Sequence, residues 1–407
     1  MPHTLRTLDP QDEDFSDLAP LRDIVGDARV VAIGESAHRT HEFYDLRHRL
    51  TRFLVRELGF SAYVMESGFA EGLAVDDWLT SGGDLDSVLE HGITYRFGQC
   101  EEMRAHLPWL REHGIRFYGM DISGSSASAV PAIEACLPLL DEVDRNYAKV
   151  IRSTLLPLFD YLPTDRASRA SAAPALFAYL ALEPALRHEI TARVGSFAER
   201  LHAMQLDYAA SADPGRVELA LRCAAMARHT DAFIAAMPEG AGRTYPGANI
   251  RDYAMAETME WILGRESRVI VTAHNGHVQR CPFWGPPVIN DKLTTVGQHL
   301  ARSLGPELVV IGSAFGGGTL ELHRQKVDAP PGHVELFTQA VGPFEPTTID
   351  GTLAAAGIPL YLTDLRAEPI SATHLMNGAA AQPIEPGAFD AMVFMDSVTP
   401  WHRLPGA

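Results

Sequence analysis

The chain has 407 residues, of which 46% are hydrophobic and 21% are charged, a composition typical of a folded globular protein with room for one large α/β domain and an insertion. Its 52 acidic and 34 basic residues give a formal net charge of -18, which argues against nucleic acid as a partner because such binding depends on Lys and Arg neutralising phosphates. We expect instead a small-molecule substrate that is neutral or cationic.

The sequence also lacks the features of membrane-spanning and disulfide-bonded proteins. No stretch approaches the roughly 18 apolar residues of a membrane span, and the segment Met1–Phe15 is acidic where a secretory signal would be basic and then apolar. The cysteines show no C-x-x-C spacing, which predicts buried thiols rather than a zinc knuckle or a disulfide framework; they are Cys100, Cys136, Cys223 and Cys281. We therefore predict a cytoplasmic protein without membrane contact.

Short apolar runs that lead into a polar residue recur along the chain and have the composition of strands buried on both faces. The polar residues that follow such runs are Glu35, Glu66, Asp121, His274, Ser313 and Asp364. Between the runs lie amphipathic stretches, and the one over 41–58 places its apolar side chains on one stripe, as in a helix packed on a sheet. This alternation predicts an α/β fold with a central, mostly parallel sheet and helices on both faces.

The middle of the chain, residues 131–237, differs from its flanks. It has few strand-like runs, much alanine, and helical stripes such as Val194, Phe197 and Leu201. Repeated prolines break it into several helices. We predict a helical insertion that forms part of the substrate cleft, within an α/β catalytic core made of residues 1–130 and 238–407.

The ionisable residues at the predicted strand ends point to one cleft, because ligands of parallel sheets bind beyond the carboxyl ends of the strands. Glu35, Glu66, Asp121 and His274 are expected at that edge. Each alone can be a helix cap or a structural group, but four together favour a shared site.

The segment Gly34–His38, which reads Gly-Glu-Ser-Ala-His, contains the elements of a general base. Its carboxylate and its imidazole can converge on one water molecule, and Glu35 can fix the tautomer of the His38 ring. A second pair of imidazoles, His274 and His277, follows another predicted strand. Two imidazoles at one strand end are an unusual choice for packing alone, which strengthens the functional interpretation.

Several segments together resemble the erythromycin esterase family. They are Gly34–His38, Glu42–Phe43, Leu46–His48, Met65–Glu66, Gly68–Gly72, Arg251–Ala256 with Trp261, Ala273–Val278 and Gly297–Leu300. The similarity extends over nearly the whole chain. One departure is Arg39, which stands after His38 where family members often carry glycine. Because of such departures, the resemblance does not identify the substrate.

The resemblance implies hydrolysis of a macrolide lactone by water that His38 activates, without a required metal ion or other cofactor. It implies that Glu35 assists His38 and that Glu66 and His274 complete the catalytic set. We expect Arg47 or a protonated His274 to stabilise the oxyanion that forms at the ester carbonyl. The residues that we assign to substrate binding are Arg47, His277, Asp121, Phe69 and Trp284.

Two other chemistries fit the same residues. The segment around Ser36 is similar to the nucleophile elbow of serine esterases, although His38 replaces the last glycine of that motif, which argues against it. A metal-dependent hydrolase is the stronger competing hypothesis, because Glu35, His38, Glu66 and His274 are a set that zinc or manganese accepts.

The reaction is less constrained by the sequence than the site is. The protein can be a tailoring enzyme of secondary metabolism that cyclises, dehydrates or rearranges a polyketide, or a binding protein that does not turn its ligand over. A binding protein does not need a base and a carboxylate partner, so we favour an enzyme. The sequence leaves open whether the role is antibiotic resistance or biosynthesis.

Overall fold

A computed structural model of the chain describes residues 2–163, 172–237, 246–285 and 289–406. Among these residues we find no helix with the length and apolar character that crossing a bilayer requires. The cytoplasmic location stays a prediction. All four cysteines are buried and free, as the sequence predicted.

The strands form one large sheet and three small ones. They are β1 (His3–Thr4), β2 (Val30–Glu35), β3 (Ala62–Gly68), β4 (Arg116–Asp121), β5 (Val269–His274), β6 (Phe283–Gly285), β7 (Ile289–Leu293), β8 (Leu308–Phe315), β9 (Gly318–Gln325), β10 (Val334–Val341), β11 (Leu360–Asp364), β12 (His374–Asn377), β13 (Ala380–Pro383) and β14 (Ala391–Met395). The large sheet has eight strands in the order β1-β11-β14-β8-β2-β5-β3-β4. The small sheets pair β9 with β10, β12 with β13, and β6 with β7.

Strand direction in the large sheet confirms the predicted fold class. From β14 to β4 every neighbouring pair is parallel, whereas β11 and β1 add to the β14 edge in antiparallel fashion. The sheet is therefore mostly parallel with a small antiparallel edge, a common arrangement in large α/β proteins.

Helices occupy much of the remaining chain. They are α1 (Leu21–Val25), α2 (His41–Leu58), α3 (Phe69–Ser81), α4 (Leu85–His91), α5 (Glu101–Glu112), α6 (Ser123–Ser126), α7 (Val130–Val143), α8 (Arg145–Val150), α9 (Ala173–Leu180), α10 (Pro184–Ala203), α11 (Gln205–Ala209), α12 (Pro214–Ala236), α13 (Pro246–Leu263), α14 (Asn275–Val278), α15 (Val296–Leu304) and α16 (Ile349–Ala354). Between residues 131 and 237, the regular elements that the structure describes are all helical.

Two hydrophobic cores sandwich the large sheet, because alternate residues of each buried strand point to opposite faces. In β2, Val30 and Ala32 belong to one core, whereas Val31 and Ile33 belong to the other. The second core also receives the apolar stripe of α2, whose bounds match the predicted helix. At about 1.5–3 kcal/mol for each large apolar side chain removed from water, this two-sided burial fixes the strand ends that carry the polar residues.

The strand that ends at Asp364 forms as predicted, but it ends at the other edge of the sheet. Asp364 ends β11, which runs antiparallel to β14, and it lies opposite Ala391 at the beginning of that strand. An antiparallel strand delivers its last residue to the opposite edge of the sheet, so Asp364 is away from the cleft. There it bonds to Arg366 instead.

Candidate active site

Four parallel strands bring their last residues to one edge of the sheet. Glu35 and His274 are register partners at the ends of β2 and β5, and β3 and β4 place Glu66 and Asp121 on the same side. The four residues that the sequence assigned to a shared cleft therefore lie together. All four are buried, so contacts with neighbouring groups must compensate their charges.

His38 and Glu35 form the hydrogen-bonded pair that the sequence suggested. The His38 Nδ1 atom lies 2.7 Å from Glu35 Oε1, and Arg47 Nη1 lies 3.2 Å from the other carboxylate oxygen. Burial raises the pKa of Glu35, but the Arg47 guanidinium and His38 together outweigh burial, and the net shift is downward. An ionised Glu35 accepts the Nδ1 proton of His38, which leaves Nε2 as the basic atom of that ring.

Arg39, the residue after His38, stabilises the turn that carries His38. Arg39 has a φ of 58°, in the left-handed region that favours glycine. Its guanidinium lies over the rings of Phe97 and Trp401, at 5.4 Å and 5.9 Å from their centroids. These contacts stabilise the turn, and a glycine at this position would not make them.

The surroundings of His274 favour a neutral ring rather than a cationic one. Its Nδ1 atom accepts the Gly276 N–H at 3.0 Å, and its Nε2 atom lies 3.3 Å from the Ser36 carbonyl oxygen. Burial lowers the pKa of His274 to about 4, and the nearby His38 ring, 5.0 Å away between centroids, acts in the same direction. The expectation that a protonated His274 stabilises an oxyanion is therefore not supported. Arg47 is also unsuited to that role, since it is buried against Glu35.

His277 is the cationic imidazole of the site. Its Nδ1 atom lies 2.9 Å from Asp252 Oδ1, and its Nε2 atom lies 3.3 Å from Glu66 Oε1. Burial lowers the pKa of His277, but the Asp252 and Glu66 carboxylates outweigh it and raise the pKa to about 10. At neutral pH the ring is therefore an imidazolium.

Arg251 links the other two carboxylates. Its Nη2 atom lies 2.6 Å from Asp121 Oδ2 and 3.0 Å from Glu66 Oε1, and Tyr95 donates its hydroxyl to Asp121 at 2.8 Å. Burial raises the pKa of Glu66, but cations such as His277 and Arg251 hold it well below its usual range.

Sequence reasoning missed Arg251, Asp252 and Tyr95 as site residues. A signal for the first two was present, because an Arg-Asp pair interrupts the largely apolar run Ile250–Ala256 of α13. Such a pair is expected to face either solvent or a polar cleft, and the periodicity does not decide between them. Tyr95 lies in a short turn without any recognisable pattern.

A cleft of about 340 Å³ opens beside these groups. Its polar lining includes Arg251, His274 and His277, and its apolar lining includes Phe233 and Phe283. Its volume is within the range of small-molecule sites.

The five predicted substrate-binding residues do not all lie in the cleft. His277 lines the cleft, whereas Asp121 and Arg47 lie behind it in buried ion pairs. The structure does not bring the two aromatic residues to the cluster: Phe69 packs in the core against Trp261, and Trp284 lies under the Lys292 ammonium. Phe283, the neighbour of Trp284, lines the cleft instead, together with Phe233.

The geometry does not favour Ser36 as a nucleophile. The side chain is buried, its hydroxyl donates to the Ser313 carbonyl oxygen, and it accepts a hydrogen bond from the Asn275 amide at 3.1 Å. A hydroxyl that is enclosed in this way cannot reach a substrate.

A metal-dependent mechanism needs ligand atoms that converge on one point. Among the described residues, the one group of three or more His, Cys, Asp or Glu whose ligand atoms all lie within 4.8 Å of one another consists of His41, Glu102 and His402. That group shares no member with the set Glu35, His38, Glu66 and His274. A metal held by all four of those residues would require rearrangement of the cleft.

Comparison with known proteins places this geometry in a family. The sequence model of the erythromycin esterase family matches residues 55–398. The chain belongs to the erythromycin esterase family. It is 29% identical to erythromycin esterase type II of Escherichia coli over 78% of this chain and 76% of that one, and 24% identical to the type I enzyme of Escherichia coli over 97% of each.

The fold agrees with a solved structure of the family. A mutant of the erythromycin esterase EreC in its open conformation superimposes with a TM-score of 0.83 over 98% of both chains, at 20% sequence identity. Erythromycin esterase family membership makes this protein an esterase-type hydrolase.

Proposed function

We propose that this family member hydrolyses a macrolide-type lactone with water that His38 activates. The observation that carries the proposal is the His38–Glu35 pair, in which a buried carboxylate holds Nδ1 at 2.7 Å while the ring itself is 32% exposed. A general base needs both an oriented ring and access to water. The two curated relatives are named for erythromycin, which supports a macrolide as the substrate class.

The proposed reaction proceeds in two proton transfers. His38 Nε2 takes a proton from water while the water oxygen adds to the lactone carbonyl carbon, which gives a tetrahedral oxyanion. The ring C–O bond then breaks, and the imidazolium of His38 returns the proton to the departing alkoxide. The products are a carboxylic acid and an alcohol in one opened chain, with the net addition of one water.

The cations that face the cleft fit the charge of the tetrahedral intermediate. We assign oxyanion stabilisation to His277, because its imidazolium lines the cleft and keeps its charge well above neutral pH. Arg251 lines the same cleft, but its Nη2 atom contacts Glu66 and Asp121 at 3.0 Å and 2.6 Å. His277 also contacts carboxylates, but its Nε2 atom lies 3.3 Å from Glu66, so this N–H is held less tightly than the Arg251 donor. A donor of this kind contributes about 10²–10³ in kcat when it is aimed at the developing charge.

We further propose that the helical segment 131–237 forms part of the substrate wall. Phe233 in α12 and Met237 just beyond it line the cleft opposite the sheet, together with Phe283. An apolar wall with a few polar groups at one end suits a ligand that is largely hydrocarbon with one reactive ester.

The test of the proposed function is product analysis over a panel of macrolides and smaller lactones, with mass spectrometry to detect the gain of one water. Wild-type protein should open at least one macrolide, and His38→Gln should lower kcat by about 10²–10⁴-fold. The exposed His188 in α10 provides a matched control, since His188→Gln should change nothing. Near-normal turnover by His38→Gln would show that another group is the base.

A further inference from the structure

A second cluster of histidine and carboxylate side chains lies outside the cleft. His41 Nδ1 and His402 Nδ1 lie 2.7 Å and 3.0 Å from the same oxygen of Glu102, Oε1. The two imidazole rings are 4.4 Å apart between centroids. Three side chains from distant parts of the sequence therefore direct ligand-type atoms to one point.

The fold builds this cluster from three elements. His41 begins α2, Glu102 lies in the first turn of α5, and His402 belongs to the C-terminal segment. Backbone hydrogen bonds hold the C-terminal segment between α2 and α5. The His41 N–H donates to the Thr399 carbonyl oxygen and the Glu101 N–H donates to the His402 carbonyl oxygen, each at 2.9 Å. The cluster is thus positioned by main-chain contacts and not only by its own side chains.

The charges around the cluster favour a cation. The Glu102 side chain is only 4% exposed, and within the described ranges its ion-pair partners are the two imidazoles, with no Lys or Arg. Asp45 adds a second carboxylate 3.3 Å from His41 Nε2. A buried carboxylate without a permanent cation is costly, and a divalent ion would remove that cost.

We propose that His41, Glu102 and His402 bind a divalent transition-metal ion, with zinc as the best match. Two imidazole nitrogens and one carboxylate oxygen are ligands that zinc accepts. Bonds of 2.0–2.1 Å in a tetrahedral site place ligand atoms about 3.3 Å apart, so the observed separations of 2.7 Å and 3.0 Å require only a small opening of the cluster.

Two further contacts fit this assignment. Asp45 Oδ2 lies 3.3 Å from His41 Nε2, the ring nitrogen that does not face Glu102, where a carboxylate can support a metal-bound histidine. His402 is 61% exposed, so the fourth coordination position opens to water. Since the Trp401 N–H donates to the Arg39 carbonyl oxygen at 2.9 Å, the ion would fasten the C-terminal segment beside the turn that carries His38.

Metal binding is tested on the full chain after dialysis against a chelator. Calorimetric titration with Zn²⁺ and visible absorption with Co²⁺ should show one site in the wild type. His402→Ala and Glu102→Gln should each weaken binding at least tenfold, and Zn²⁺ should raise the Tm of the wild type but not of these variants. Glu102→Gln keeps the side-chain shape, so the test does not depend on one variant folding.

Two controls identify the location of the ion. His188→Ala removes an exposed histidine elsewhere, and His38→Ala removes the imidazole that pairs with Glu35; both variants should bind Zn²⁺ as the wild type does. Binding that is absent from the wild type, that survives in His402→Ala and Glu102→Gln, or that disappears in His38→Ala would overturn the proposal. None of these readouts depends on the lactone activity.

Discussion

Replacing Glu35 by Gln should abolish activity and destabilise the protein through two separable effects. The amide can donate to His38 Nδ1, which would move the ring proton to Nε2 and remove the basic atom. A comparable loss of the orienting carboxylate in a catalytic triad lowers kcat by about 10⁴-fold, which corresponds to about 5.5 kcal/mol of barrier. The same substitution leaves Arg47 buried without its ion-pair partner, at a cost of about 3–5 kcal/mol of unfolding free energy.

The double variant Glu35→Gln/Arg47→Met separates the two effects. Met keeps an apolar stem beside Tyr44, whose ring centroid lies 4.1 Å from the Arg47 guanidinium, and it removes the unpaired charge. Urea denaturation should therefore show most of the lost stability restored, while lactone hydrolysis stays at the level of the single variant.

The outcome that would refute this reasoning is recovery of kcat in the double variant, because the loss in the single variant would then come from Arg47 rather than from the His38 tautomer. A single variant that keeps kcat within a few fold of the wild type would refute it as well. Glu199→Gln, at an exposed position of α10, is the matched control for the chemical change and should alter neither readout.

Three further predictions concern the cations of the cleft. His277→Gln should lower kcat by about 10²–10³-fold with little change in KM, and an effect confined to KM would exclude oxyanion stabilisation. The pKa of His277 is raised to about 10 in the folded protein, above about 6.5 in the unfolded chain, so its contribution to stability is complete below the unfolded pKa and is lost as pH rises through the folded pKa. When the unfolding free energy is measured by urea denaturation at several pH values in that interval, Asp252→Asn should make its fall with pH less steep. An unchanged fall would contradict the conclusion that Asp252 raises the pKa of His277. Arg251→Met should cost about 3–5 kcal/mol of unfolding free energy because Glu66 and Asp121 lose a shared cation; a loss below about 1 kcal/mol would mean that the pairs contribute little.

The parallel core of the fold could be predicted because its strands are buried on both faces. Val30–Glu35 and Val269–His274 both begin with short apolar runs, the pattern of strands that are covered on both faces. Strand direction was not predictable in the same way, since the run Leu360–Asp364 has a similar composition but pairs antiparallel with β14. Periodicity reports burial, whereas direction depends on how distant segments dock.

The candidate site was predictable where strand ends determine it and not where helices complete it. Glu35, Glu66 and His274 follow from the rule that parallel strands end at one edge. Arg251 reaches the same place from α13, and only the docking of that helix decides which of its faces meets the sheet. Phe69 was misplaced because an apolar residue after a strand fits a cleft wall and a core equally well, and here it packs on Trp261.

Burial distinguishes the two imidazoles at the centre of the site, and the distinction supports His38 rather than His274 as the proposed base. His38 and His274 lie 5.0 Å apart between ring centroids. The buried His274 has both ring nitrogens near backbone groups and a pKa lowered to about 4, so it is too weak a base to take a proton from water near neutral pH. His38 has one nitrogen on an ionised carboxylate and a side chain that is 32% exposed. In the proposed reaction His38 becomes an imidazolium, and a positive charge on the neighbouring His274 would oppose that proton transfer, which a neutral His274 avoids.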